Sequence, residues 1–281
     1  MDTIGNTWKL YKQSFNFLNA DVEIVLFPVM SGISTILLAA GFFFPLFRSG
    51  LLREFAQKSA PSELYLLLFA WYYLNYLVII FFNSALVGCA HIRISGGDPT
   101  VRDGMRIAIR HLDRIAYWAF IAATVGVILG ALRNKGKGFI GKLLAGGLGL
   151  AWTLVTYLII PVIILEDRTT YESMQRSAEL FNKRWGEQIA GTFGFGVLNV
   201  LLVLPAVALG LLLYRVDPAL AVITVVCYIL ILAAISSAVR GVFTVVLYRY
   251  ASTGNLPGAF SSRQIDGILG APQKPSWDQP L

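Results

Sequence analysis

Residues 219–247 read ALAVITVVCYILILAAISSAVRGVFTVVL and hold a single charged side chain, Arg240. A helix of that length and polarity matches the hydrocarbon core of a bilayer, which is about 30 Å thick and takes roughly 20 apolar residues to cross. Moving outward along the chain, five further stretches have the same character: Val22 to Phe47, Leu64 to Ala90, Ile115 to Leu132, Leu143 to Leu165 and Ile189 to Tyr214. The expected fold class is therefore all-α, a polytopic membrane protein with six transmembrane helices. Composition agrees, because 56% of the 281 residues are hydrophobic and 14% are charged, against roughly 45–50% and about 25% in soluble domains. So few charges cannot supply a soluble enzyme with a polar skin. Met1 to Ala20 lacks an apolar signal core and a small-residue cleavage site, so the first hydrophobic helix is expected to be a retained anchor.

Six spans place both termini on one side, and the positive-inside rule chooses it. Lys9, Lys12, Arg93, Arg102, Arg106, Arg110, Arg114, Arg168, Arg176, Lys183, Arg184, Arg240, Arg249, Arg263 and Lys274 fall on the N-terminal side and outnumber the cations on the other. Both termini are thus expected in the cytoplasm. The loop RNKGKGFIGK at 133–142 runs against the bias, being basic on the far side.

Between spans, the cytoplasmic segments carry apolar residues at helical spacing: Ile4, Trp8, Tyr11, Phe15 and Leu18; Val101, Met105, Ile109 and Leu112; Tyr171, Met174, Ala178 and Phe181. They read as amphipathic helices lying on the membrane surface. The second and third align at one constant offset, pairing Asp98 with Asp167, Thr100 with Thr169, Asp103 with Glu172, Met105 with Met174, Leu112 with Phe181 and Arg114 with Lys183. Asp98, Thr100 and Thr169 are natural helix starts, because their oxygens can accept unpaired first-turn amides. The expected unit is an interfacial helix followed by a span out and a span back, used three times, with LPGAFSSRQIDGIL at 256–269 as a truncated fourth piece. Residues 1–260 then form one domain, and the proline-rich end of the chain, 261–281, is expected to be a disordered C-terminal tail. The net charge of +7 is assigned to anionic lipid headgroups, not to nucleic acid.

Catalytic machinery is not visible. Cys89 and Cys227 lie in apolar runs and His91 and His111 are the only histidines, so no metal, cofactor or disulfide framework is expected. Gly136 to Lys142 fits the GxxxxGK spacing of a phosphate loop, but Leu143 stands where the motif needs a hydroxyl and the segment opens an apolar helix.

Polar residues inside the spans fall into two layers. Ser34, Thr35, Asn75, Thr124, Thr156 and Asn199 mark the midplane, while Glu23, Asn83, Glu166, Asp167 and Arg240 mark the cytoplasmic boundary. Midplane Asn, Ser and Thr are expected to act mainly as hydrogen bonds between helices. At the boundary, Arg240 needs a carboxylate, and the expected partner is Glu166. Pro28, Pro161 and Pro205 each remove a helical hydrogen bond, with Pro205 the leading kink candidate.

Several dispersed strings carry a resemblance: DVEIVLFPVMSG at 21–32, GDPTVRDGMRIAIRHLDRI at 97–115, PVIILED at 161–167, YESMQRSAELFNKRWGEQ at 171–188 and VLYRYASTGNLPGAF at 246–260. Together they resemble an uncharacterised family of six-span prokaryotic integral membrane proteins. The resemblance implies a plasma-membrane protein and supplies no catalytic or binding residues. The layout is also similar to the membrane domain of glycerophosphodiester phosphodiesterases, without their soluble catalytic domain. The expected role is a non-enzymatic accessory or scaffold component that binds lipid, a partner complex or a second copy of itself. The alternative is a small transporter or channel with a path ending at Arg240 and Glu166.

Overall fold

The computed structural model describes residues 23–50, 62–135, 139–184, 194–215 and 217–254. Every regular element among them is an α-helix: α1 Glu23–Ser49, α2 Ser62–Ile94, α3 Val101–Arg110, α4 Leu112–Lys135, α5 Phe139–Val155, α6 Ile159–Leu165, α7 Thr170–Arg184, α8 Gly194–Tyr214 and α9 Pro218–Thr253. Among the described residues, five stretches are long and apolar enough to cross a membrane: Glu23–Ser49, Tyr65–Ile94, Leu112–Leu132, Gly146–Leu165 and Pro218–Thr253. In α8 the apolar run that can be described is Val203–Tyr214, shorter than a span. The expected beginning of that span at Ile189 lies outside the described residues, as do the N-terminal amphipathic segment and the C-terminal tail.

Local chemistry explains where the long helices stop. Asp217 caps α9 by accepting hydrogen bonds from the Ala219 and Leu220 amides, with Pro218 in the first turn, where its missing N–H costs nothing. At the end of α2, Gly96 takes a φ of 89°, and the Gly96 and Gly97 amides return to the Arg93 and Ile92 carbonyls. A residue with a Cβ resists that left-handed turn, and glycine does not. Helices α1 and α8 continue through Pro28 and Pro205. Pro161 lies in the first turn of α6, as expected of a proline that starts a helix: the chain leaves helical form between Val155 and Ile159, and the Ile159 amide turns to the Thr156 carbonyl.

The core sits at one end of the bundle and forms a collar there. It joins the last turns of α2 (Ala85, Leu86, Val87, Cys89, Ala90), α6 (Ile159, Val162, Ile163), α7 (Leu180, Phe181) and the second half of α9 from Ala238 to Ala251. Arg249 donates to the Ile94 carbonyl while Leu86 lies against Gly241, so α2 and α9 run parallel and in register over the collar.

The sequence pattern gives the inner faces of α3 and α7 in part. Val101, Met105, Met174 and Phe181 of the expected apolar stripes pack on the core, but Ile109, Leu112 and Tyr171 are exposed, while Gly104, Ala108 and His111 of one segment and Thr170, Ser173 and Ser177 of the other are buried. Small residues win because these helices lie directly on neighbouring backbone. A Cβ added at Gly104 would come 2.9 Å from the Ala85 carbonyl oxygen, with Cys89 and Phe27 crowding the other sides. The two buried sets correspond to one another at the offset that aligns the segments, Gly104 with Ser173 and Ala108 with Ser177.

Candidate functional site

Both collar helices begin in the same way. Thr100 Oγ1 accepts from the Asp103 amide at 3.2 Å while the Asp103 carboxylate accepts from the Thr100 amide at 3.1 Å. Thr169 and Glu172 repeat the exchange at 3.4 and 3.0 Å. Each reciprocal pair satisfies first-turn amides that a helix leaves open. The threonine hydrogen bonds come first among the causes that hold the Asp103 and Glu172 carboxyls below the usual carboxylate range.

Glu23, expected at the boundary, adds to the first of these caps by accepting from the Val101 amide at 3.0 Å, which ties the start of α1 to α3. Asp167 links the two segments. Its φ of 52° is unusual for a residue with a side chain. Its carboxylate pairs with Arg114 and lies 3.5 Å from His111 Nε2, and Thr170 Oγ1 donates to the Arg114 carbonyl. The Arg114 hydrogen bond, then its charge, lowers the Asp167 pKa.

The expected Arg240–Glu166 pair is not formed. Glu166 accepts from Arg168 Nε at 2.6 Å, Tyr248 Oη at 3.0 Å and Arg176 Nε at 3.3 Å. Arg240 is exposed and donates through Nε to the Ser236 carbonyl one turn back in its own helix. The physical reason is position: Tyr248 lies two turns further along α9 than Arg240, and Glu166 is level with it, beside cations from its own loop and α7.

Ser177 is a residue that sequence reasoning missed. Its hydroxyl donates to the Val155 carbonyl at 2.6 Å and accepts from the Leu158 amide at 3.1 Å, filling the break ahead of Pro161. Arg114, Arg176, His111 and Tyr248 likewise join the collar network without a local pattern that marks them as site residues. Pro161 could have signalled a break, since it lacks the amide that would bond the Tyr157 carbonyl, but it does not mark Ser177 as the hydroxyl that serves Val155 and Leu158.

Of the midplane set, Asn75 is buried and donates to the Trp71 carbonyl, and Thr156 donates to the Trp152 carbonyl, both within one helical turn. The side chain of Asn199 lies outside the described residues. Asn83 lines a cavity of about 640 Å³ between α1, α2 and α9, together with Ser31, Thr35 and Ser237 and a mainly apolar wall. These four side chains make no hydrogen bond among the described residues.

Residues 62–258 match a family of unknown function, DUF6159. The match covers most of the chain, which therefore belongs to that family. No curated protein and no solved structure matches the chain.

Proposed function

We propose that the protein is a non-enzymatic, multi-pass scaffold of a prokaryotic plasma membrane, with both termini cytoplasmic and its collar resting against anionic headgroups. The observation that carries this reading is the outer face of α3. Arg102, Arg106 and Arg110 are all exposed and fall one helical turn apart, beside exposed Ile109 and, at the start of α4, exposed Leu112. Cations next to apolar side chains are the chemistry of an interfacial helix, which buries its apolar groups at the acyl boundary and offers its charges to phosphate. In this reading α3 and α7 are the amphipathic interfacial helices, α8 supplies the sixth span, and the layout is akin to the membrane domain of glycerophosphodiester phosphodiesterases without their activity.

The test is hydrogen exchange of the full chain in nanodiscs of phosphatidylcholine alone and of phosphatidylcholine mixed with phosphatidylglycerol. The anionic lipid is expected to slow exchange in α3, and the triple variant Arg102→Gln, Arg106→Gln, Arg110→Gln is expected to remove that difference. Equal exchange of the unmodified chain in both lipids would overturn the reading. The transporter alternative, with its path ending at Arg240 and Glu166, would require Glu166 to exchange Arg168, Arg176 and Tyr248 for a solute. Ion flux in vesicles that is lost in Glu166→Gln would favour it.

A further inference from the structure

The cavity between α1, α2 and α9 has a polar end and an apolar end. Register across the helices places them. The rings of Phe43 in α1 and Trp71 in α2 pack with centroids 4.9 Å apart, and the antiparallel pairing carried along both helices brings Ser31 level with Asn83. On the other side, the parallel register that sets Leu86 against Gly241 brings Asn83 level with Ser237 and its neighbour Ala238. Ser31, Asn83 and Ser237 thus form one polar layer, and Ile33, Ile36, Ile79, Leu230 and Ile231 continue the wall away from the collar.

Those apolar residues belong equally to the outer surface: Ile36 is 60% exposed and Ile231 61%. The cavity therefore opens sideways onto the surface that lipid would cover. Depth supports the same orientation. From the Asp217 cap to Arg240 is about 34 Å at 1.5 Å per residue, close to the about 30 Å of a hydrocarbon core, so exposed Arg240 marks the collar-side boundary and Ser237 stands one turn inside it.

Among the described residues the polar layer has no hydrogen-bond partner. Thr124, Thr153, Thr156 and Thr244 each donate to the carbonyl four residues earlier, whereas Ser31, Asn83 and Ser237 of the layer, and Thr35 one turn along α1 from it, have no such bond among the described residues. A carboxamide at this depth gains from a partner brought by a ligand. The cavity volume is in the range of built ligand sites, roughly 300–1,000 Å³.

We propose that this cavity binds a glycerophospholipid of the collar-side leaflet, with one acyl chain lying between α1 and α9 and its ester carbonyl accepting a hydrogen bond from the Asn83 amide. The site is separate from the outer face of α3 and does not depend on what that face binds. Arg240, one turn beyond Ser237, stands at the level of the lipid phosphate.

The probe is a phospholipid carrying a photoreactive diazirine on its acyl chain, reconstituted with the full chain in nanodiscs, with labelled peptides located by mass spectrometry. Labelling is expected to concentrate on Ile33, Ile36, Ile79, Leu230 and Ile231. Asn83→Leu is expected to reduce it by roughly fivefold to tenfold, the scale of one buried hydrogen bond. Ala234→Phe, which fills the cavity without touching the polar layer, is expected to reduce it as well. Labelling of the unmodified chain spread evenly over Leu204, Leu211 and Leu212 of α8 as well as the cavity wall would overturn the proposal. So would labelling that both variants leave unchanged. A free fatty acid with the same diazirine that labels the cavity better than the phospholipid would also overturn it, because the ester and headgroup would then play no part.

Discussion

The two halves of α9 contain the same kinds of side chain and meet opposite surroundings. Val222 is 61% exposed and Ile223 60%, while Val242, Val245 and Val246 are fully buried. Hydropathy does not separate them, because an apolar side chain is as stable against lipid as against protein. What separates them is the collar: α6 and α7 pack against the second half of α9 while α3 packs on the end of α2 beside it, and they bring with them the capping threonines, Asp167 and Ser177. One half is apolar because it faces a bilayer in the membrane reading, the other because it is a protein core.

The largest effect expected from that difference comes from introducing charge. Ile229→Arg, in the exposed half of α9, should cost about 2.5–3.5 kcal/mol of insertion on the biological scale, and Ile109→Arg, exposed on the collar, less than about 0.5 kcal/mol of stability. A glycosylation-reporter insertion assay reads the first and thermal unfolding the second. Equal tolerance at both positions would mean that the exposed half of α9 does not face lipid.

Packing should separate the collar from the exposed helix surfaces next. Gly104→Ala places a methyl group against the Ala85 carbonyl and should destabilise by about 1–3 kcal/mol, whereas Gly130→Ala meets nothing within 4 Å and should be neutral or slightly stabilising. Thermal unfolding in detergent compares the two directly. A neutral Gly104→Ala would show that α3 is not pressed onto α2.

Ser177→Ala is a smaller and more local test. It leaves the Leu158 amide and the Val155 carbonyl without their hydroxyl, at an expected cost of about 1–2 kcal/mol, while Thr153→Ala removes only an exposed bond within one turn of α5. Hydrogen exchange at Leu158 should rise in the first variant and stay unchanged in the second.

The apolar spans are legible in the sequence because length and lack of charge are properties of a segment by itself. The aligned collar segments are legible too, since Thr100 with Asp103 and Thr169 with Glu172 are local patterns. The inner faces of α3 and α7 are legible only in part, at Val101, Met105, Met174 and Phe181. A search for large apolar stripes passes over Gly104, Ala108, Ser173 and Ser177, whose smallness matters only once a neighbouring backbone is placed against them. Glu166 is legible as a boundary carboxylate expected to pair with Arg240, yet its actual partners are not, because Tyr248 and Arg176 reach it through the packing of α9 and α7.

The smallest expected effect is the pH dependence of the collar, and its sign follows from three lowered carboxyls. Asp103, Asp167 and Glu172 have folded pKa values below their ordinary 3.8, 3.8 and 4.5. A group lowered in the folded state binds its proton more readily when unfolded, so its stabilisation is present above the ordinary value and is lost as pH falls through the folded one. The contribution of these three carboxylates should therefore stay constant from neutrality down to the ordinary carboxylate range and be lost below it. Exposure and salt screening keep the contribution of each group small. Hydrogen exchange in α3 and α7 should rise on acidification before exchange in the exposed half of α9 does, since that half holds no carboxylate beyond its Asp217 cap. Asp167→Asn should flatten the part of the response felt at the α6–α7 connection. If the two halves of α9 lost protection together as pH fell, the carboxylates would not be what distinguishes the collar from the rest of the bundle.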